Sequence, residues 1–92
     1  MIKSFRCRDT ERLFEGDRVR RFVNIETVAM RKLAMLHRAA RLDDLRIPPA
    51  NRLEALSADR AGQYSIRIND QYRLCFIWTD VGPTDVEIVD YH

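Results

Sequence analysis

The chain has 92 residues, of which 46% are apolar and 33% charged, and its formal net charge is +2. This length predicts one domain, residues 1–92, with a modest core, and no apolar run approaches the roughly 20 residues that cross a bilayer. The sequence therefore predicts neither a membrane span nor a secretory signal, and we expect a cytoplasmic protein with no membrane partner.

Charge is distributed unevenly along the chain. Residues 1–42 carry eleven Lys or Arg against five Asp or Glu, whereas residues 43–92 carry five against nine. A basic first half fits an anionic partner such as RNA, and the acidic excess that follows argues against a uniformly basic nucleic-acid binder. Cys7 and Cys75 match neither a disulfide framework nor a zinc site. We expect no metal and no cofactor.

The N-terminal part predicts one strand and two helices. Residues 2–7 alternate in character as an edge strand does, and Asp9 or Thr10 can cap a short helix that ends near Gly16. Asn24 can cap a longer main helix, whose apolar residues recur at three- and four-residue steps. They are Ile25, Val28, Ala29, Leu33, Leu36 and Ala40, and the basic residues of this helix, Lys32 among them, are expected mostly outside.

Residues 43–61 predict a long connection, interrupted by Pro48 and Pro49. A structureless connection of this length is uncommon in a small domain and is often functional. Its polar residues can therefore supply groups to a site; they include Arg52, Glu54, Asp59 and Arg60. Of these, we take Glu54 and Arg60 as candidates for substrate binding.

Residues 63–78 predict a β-hairpin whose register can be tested by side-chain parity. A two-residue turn at Asn69 and Asp70 would set apolar side chains beside polar ones. A three-residue turn, residues 69–71, aligns one apolar face instead. It pairs Ile68 with Tyr72, Ile66 with Leu74 and Tyr64 with Phe76, and it sets Arg67 directly opposite Arg73.

Two arginines that face each other across a sheet repel unless an anion or an acidic neighbour intervenes. The opposition of Arg67 and Arg73 therefore predicts a phosphate site. The alternative is that a carboxylate pairs with one of them, and Asp70, Asp90 and Glu54 are the candidates.

A turn at residues 80–84 then leads into a last strand, residues 85–91. The parity rule puts Val86 and Ile88 on the core face and Tyr91 on the face of Arg73. The predicted fold is α+β: a small antiparallel sheet, made of the N-terminal strand and a C-terminal three-stranded meander, with two helices packed on one face.

The last three residues, Asp90, Tyr91 and His92, carry groups suited to RNA cleavage. His92 and Asp90 are candidate proton carriers for the attacking ribose 2′-hydroxyl and the leaving 5′-oxygen. Arg73, with Arg67, can hold the phosphate, and Tyr91 can stack on a base. This chemistry requires no metal.

The segment from Asp59 to Arg73 resembles the HigB branch of the RelE superfamily of bacterial toxins, and so do residues 1–5, 51–56 and 86–92. The resemblance implies a RelE-like fold and a type II toxin that cleaves messenger RNA in the A site of the 70S ribosome. It also implies neutralisation by a helix-turn-helix, HigA-type antitoxin, with operator DNA bound only through the toxin-antitoxin complex. By matching position, it assigns Arg73 to phosphate stabilisation and Asp90, Tyr91 and His92 to catalysis and contact with the message.

Two other functions compete with a ribosome-dependent nuclease. Related toxins bind a protein target such as DNA gyrase without an enzymatic step, but a pure binder has no reason to keep Arg73 together with this tail. A general RNA-binding module predicts aromatic side chains on the open sheet face, whereas the register turns them towards the core. In the nuclease hypothesis, basic residues of the first half hold ribosomal RNA; they include Arg18, Arg20, Arg21, Arg31 and Arg38.

Overall fold

Two α-helices pack against one face of a four-stranded antiparallel sheet in the computed structural model, which describes residues 1–91. Helix α1 spans Arg8–Phe14 and helix α2 spans Glu26–Arg38. The strands are β1 (Glu54–Ala55), β2 (Tyr64–Arg67), β3 (Tyr72–Thr79) and β4 (Gly82–Asp90), which lie in that order across the sheet. The predicted α+β class, with both helices on one face, is confirmed.

Helix α2 supplies the centre of the core, as its periodicity predicts. Ala29, Leu33 and Leu36 are fully buried, whereas Ala40 is exposed because the helix ends at Arg38. Asn24 does not cap it: residues 20–25 form a 3-10 helix that runs directly into α2, and the chain therefore has no extended backbone at Asn24.

Helix α1 is tied to the sheet by a side chain that the sequence had offered as a cap. Thr10, the third residue of the helix, is fully buried. Its hydroxyl oxygen accepts a hydrogen bond from the Ile88 backbone N–H at 3.0 Å. This contact satisfies a β4 donor that the sheet leaves unpaired. The helix ends close to Gly16, whose φ of +99° is the left-handed conformation that the sequence predicted for its terminator.

The predicted N-terminal strand is wrong in its extent and its direction. Residues 2–7 run beside β4 with a single isolated bridge, between Phe5 and Val86, and that bridge is parallel. Backbone hydrogen bonds join Lys3 to Pro83 and Arg6 to Val86. Asp85, at φ +52°, interrupts the regular edge of β4 at this point, so a continuous ladder cannot form. The fourth strand of the sheet is instead β1, inside the predicted connection.

The hairpin register is confirmed. Tyr64 pairs with Phe76, Ile66 with Leu74, and Arg67 with Arg73. The three-residue turn is held by Asn69, whose side-chain oxygen accepts hydrogen bonds from the backbone N–H groups of Gln71 (2.9 Å) and Tyr72 (2.7 Å).

The turn between β3 and β4 is shorter than the predicted five residues. It contains only residues 80–81, because Gly82 and Pro83 already pair with Thr79 and Trp78. A register shift opposite residues 75–77 then adds one residue to β4. This bulge restores the predicted parity, and Val86 and Ile88 are buried in the core as expected.

Candidate functional site

An open cleft of about 520 Å³ lies where the hairpin turn, β1 and the end of β4 meet. We call it the arginine cleft. It opens on the sheet face opposite to the apolar core, because Arg67 and Arg73 alternate with the buried Ile66 and Leu74 along their strands. Three arginines and two carboxylates line it, in the set Arg52, Glu54, Arg67, Asn69, Asp70, Arg73 and Tyr91.

Arg73 is the most constrained cation of the arginine cleft. Its side chain is only 11% exposed. Its Nε donates a hydrogen bond to the Ser65 hydroxyl at 2.7 Å, and its Nη2 donates to the Arg52 backbone carbonyl at 2.6 Å. These acceptors are uncharged, and the carboxylate of Glu54 lies 3.8 Å from Nη2. The guanidinium is therefore fixed in direction mainly by neutral acceptors.

Arg67 faces Arg73 but has a different environment. Its Nη2 contacts the carboxylate of Asp70, which lies on the same turn and is almost fully exposed. The alternative left open by the sequence is thus what the protein shows: Asp70 pairs with one arginine and Glu54 lies beside the other. The repulsion between the two arginines is offset by these carboxylates, so the like-charged pair does not by itself require a bound anion.

Tyr91 closes the cleft at the end of β4. Its backbone N–H donates to the Gln71 carbonyl, and its phenol interacts with the fully buried Cys75. Burial is the main reason that the pKa of the Tyr91 phenol and the pKa of the Cys75 thiol are raised. Cys75 raises the pKa of Tyr91 further, and the carboxylate of Glu87 raises that of Cys75. Both side chains are therefore protonated at neutral pH.

Arg60, a candidate for substrate binding, lies outside the arginine cleft. It donates to Glu87 at 2.8 Å and to the Gln63 side chain at 3.2 Å. The hydrogen bond to Glu87 is the main reason that the pKa of Arg60 is raised. This ion pair holds residues 58–60, a 3-10 helix, against the open face of β4.

Asp90 also lies outside the arginine cleft. Its carboxylate accepts a hydrogen bond from the Gln71 side chain at 3.1 Å. With Arg60 it borders a second cavity of about 270 Å³, which we call the edge cavity. The edge cavity is lined by Arg21, Arg60, Tyr72, Glu87, Ile88, Val89 and Asp90.

The structure thus brings together four of the candidate site residues, Arg73, Arg67, Glu54 and Tyr91, and it separates Arg60 and Asp90 from them. His92 lies outside the described residues. The roles assigned to all seven stay predictions.

Sequence reasoning missed two residues that shape the arginine cleft. Ser65 is fully buried and is the acceptor for Arg73 Nε, and Asn69 both holds the turn and lines the cleft. The confirmed register contained a signal for Ser65, since Ser65 lies on the same face as Arg73 and two pairs further along the ladder.

Fold and site together define a small α+β protein with an arginine-lined cleft at the end of its sheet. A family model described as the RelE-like toxin of type II toxin-antitoxin system HigB matches residues 3–92. Toxin HigB-1 of Vibrio cholerae serotype O1 is 43% identical over 82 residues, which cover 87% of this chain and 86% of that protein. An uncharacterized protein of Haemophilus influenzae is 47% identical over 53 residues, which cover 58% of this chain and 52% of that protein.

The chain therefore belongs to the HigB family of RelE-like toxins of type II toxin-antitoxin systems. Membership of such a system implies an antitoxin as partner. Within residues 1–91, no helix is both long enough and apolar enough to cross a membrane.

Proposed function

We propose that this toxin is a ribosome-dependent endoribonuclease that cleaves messenger RNA in the A site and so inhibits translation. The observation that carries the proposal is the fixed guanidinium of Arg73 in an open, arginine-rich cleft. A cation that is already oriented can stabilise the additional charge of a phosphate in the transition state without reorganising first. Membership of the RelE-like toxins supports the same activity.

In the proposed reaction, the ribose 2′-hydroxyl attacks the adjacent phosphorus and the bond to the 5′-oxygen breaks. The products are a 2′,3′-cyclic phosphate and a 5′-hydroxyl. Arg73 and Arg67 bind the non-bridging oxygens, and Tyr91 contacts a base or the phosphate. Because Asp90 borders the edge cavity, and because an imidazole is the side chain best suited to exchange a proton near neutral pH, we propose His92 as the principal proton carrier.

Dependence on the ribosome follows from how few proton carriers the proposed site contains. An enzyme of this kind gains most when another body holds the substrate strand in a reactive geometry. The five arginines proposed to hold ribosomal RNA are all exposed, which leaves them available to phosphates. Arg31→Glu combined with Arg38→Glu should weaken binding to ribosomes while leaving the rate on saturating ribosomes unchanged.

Cleavage of a message programmed on purified ribosomes tests the proposal. The intact chain is compared with Arg73→Lys, His92→Ala and the control Arg46→Ala, which removes an exposed arginine that does not line the cleft. The C-terminus stays untagged. We expect the intact chain and Arg46→Ala to cut only when ribosomes are present, and the other two to lose about 10²-fold or more in rate.

A message that stays whole in every reaction, from a toxin that still arrests growth, would contradict a nuclease. The target would then lie elsewhere, and binding to a protein such as DNA gyrase would be the next hypothesis.

We propose further that the antitoxin is of the helix-turn-helix, HigA type and that operator DNA is bound only through the toxin-antitoxin complex. A gel-shift assay of the operator with toxin, antitoxin and their complex tests this. Binding of operator DNA by the toxin alone would contradict it.

A further inference from the structure

Lys32 of helix α2 is buried, although the helical pattern places it among basic residues expected outside. It is only 8% exposed, and its Nζ donates a hydrogen bond to the side-chain oxygen of Asn51 at 2.5 Å. No carboxylate within residues 1–91 forms an ion pair with it. Burial, followed by the positive charges of Arg31 and Arg67, lowers its pKa.

A buried lysine with a neutral partner is an expensive way to fill a core position. Lysine is almost never buried without an ionic partner, and removing its charge from water costs free energy that one amide acceptor only partly offsets. An apolar side chain of similar length would pack there at lower cost. Lys32 is therefore better explained by what it fixes than by what it contributes to stability.

Asn51 is the residue that Lys32 fixes. It is fully buried, and its side-chain nitrogen donates to the Leu45 carbonyl at 3.1 Å and lies 3.0 Å from the sulfur of Met35. Its amide thus joins helix α2 to the connection that precedes β1. With Lys32 on its oxygen, both ends of the Asn51 amide are held.

The next residue along the chain reaches the arginine cleft. Arg52 has φ +46° and ψ +60°, a left-handed conformation that is uncommon for a residue other than glycine. Its carbonyl accepts the 2.6 Å hydrogen bond from Arg73 Nη2. The direction of that carbonyl depends on the backbone at residues 51–52. Asn51 anchors this backbone through the hydrogen bonds of its buried side chain.

Resting on the proposed nuclease function, we propose that Lys32 is a positioning residue: through Asn51 and the Arg52 carbonyl it sets the orientation of the Arg73 guanidinium. Contacts run without a gap from Lys32 Nζ to Asn51, along one peptide bond to Arg52, and on to Arg73. Ser65 holds the same guanidinium from β2. Lys32 would act on rate without touching the substrate.

Lys32→Met tests the proposal, because it keeps an unbranched side chain of similar length and removes the donor and the charge. Lys3→Met is the matched control, since Lys3 is the other lysine of the chain and is exposed. We expect Lys32→Met to lower kcat on saturating ribosomes about 10- to 100-fold with little change in KM, since small misplacements of a catalytic group have effects of this size. Lys32→Arg, which keeps a cationic donor, should recover part of the loss.

An NMR measurement separates positioning from general destabilisation. The side-chain Nε–H signal of Arg73, assigned by its absence in Arg73→Lys, reports the hydrogen bond to Ser65. It should shift in Lys32→Met and stay in place in Lys3→Met. Lys32→Leu, which also lacks a donor, is made alongside and should behave as Lys32→Met does, so that the comparison holds if the methionine variant does not fold.

A wild-type kcat in folded Lys32→Met, or a lowered kcat with an unmoved Arg73 signal, would overturn the positioning role. If the unaltered toxin itself fails to cleave messages on ribosomes, the proposed function fails instead. The Arg73 signal would still decide whether Lys32 positions that side chain.

Discussion

Arg67 and Arg73 lie directly opposite each other across β2 and β3, and each has a carboxylate of its own. Asp70 contacts Arg67 from the turn, and Glu54, on the edge strand β1, lies 3.8 Å from Arg73. The Asp70 side chain is 99% exposed. Exposed ion pairs are weak and exchange readily with other anions. A phosphate can therefore replace Asp70 at Arg67 while the hydrogen bonds of Arg73 to Ser65 and to the Arg52 carbonyl stay intact.

Asp70→Asn should therefore raise the affinity of the arginine cleft for RNA phosphates. The change removes the carboxylate that competes for Arg67, so we expect tighter binding of a short single-stranded RNA and a steeper decrease of that binding with salt. Fluorescence anisotropy over a range of salt concentrations measures both quantities. Asp80→Asn, an exposed change in the β3–β4 turn, is the control for net charge. Equal affinities for the two variants would show that Asp70 does not compete with RNA.

Ser65→Ala should destabilise the fold and loosen Arg73. Ser65 is fully buried, and its loss leaves the Nε donor of a mostly buried guanidinium without its 2.7 Å partner. Such a loss costs about 1–3 kcal/mol in the free energy of unfolding. Urea unfolding measures it, with the exposed Ser57→Ala as control. If both variants are equally stable, the Ser65 hydroxyl does not hold Arg73.

The parts of the fold that the sequence predicts correctly are those decided by local periodicity. Parity favours the three-residue turn that places Ile66 opposite Leu74, because a two-residue turn at Asn69 and Asp70 would set apolar side chains beside polar ones. The three- and four-residue spacing likewise identifies Ala29, Leu33 and Leu36 as the core of α2.

What the sequence does not predict depends on contacts between distant segments. Strand β1 exists only because β2 pairs with it, and the two residues of β1 carry no strand pattern of their own. The burial of Lys32 depends on Asn51, 19 residues away, and the position of Arg60 depends on Glu87, 27 residues away. Residue types indicated which side chains are polar, but not which polar partners the fold supplies.

The same limit applies to the candidate site. Arg73 and Tyr91 share a face by parity, so their common cleft follows from the register. The edge cavity does not, because Asp90 alternates to the other side of β4, and Arg60, which borders the same cavity, belongs to a separate 3-10 helix. Alternation along one strand therefore divides a sequence motif of adjacent residues between two cavities.

Cys75 should make stability fall at alkaline pH. Its ordinary thiol pKa is 9.0, and burial raises the pKa in the folded state. Well below pH 9.0, the thiol is protonated in both the folded and the unfolded chain, so the stability that it contributes is fully present there. As the pH rises further, the unfolded chain loses the proton first. The stability that the buried thiol contributes therefore decreases until the pH exceeds the pKa of the folded state.

Urea unfolding of the unaltered chain and of Cys75→Ala between about pH 8 and about pH 10 tests this. We expect the stability of the unaltered chain to decrease relative to Cys75→Ala across this range. Cys7→Ala, at a half-exposed position, controls for removal of a thiol. The same burial should make Cys75 react more slowly than Cys7 with a thiol reagent. If the free energies of unfolding of the unaltered chain and of Cys75→Ala differ by the same amount at every pH, the raised pKa of Cys75 is contradicted.

Gly82→Ala should separate the N-terminal segment from β4. Gly82 begins β4 at φ +130°, and a methyl group there would clash with the carbonyl oxygen of Met1. Gly62→Ala is a close control, because Gly62 has φ +93° but open space around it, so it tests backbone strain alone. We expect Gly62→Ala to cost about 1–3 kcal/mol in the free energy of unfolding and Gly82→Ala about 1–3 kcal/mol more.

Hydrogen exchange should also show faster exchange of the Lys3 amide, which donates to Pro83 at 2.8 Å, in Gly82→Ala only. Equal costs, with the Lys3 amide still protected, would mean that the segment moves away from Gly82 at little expense and that its packing does not require glycine.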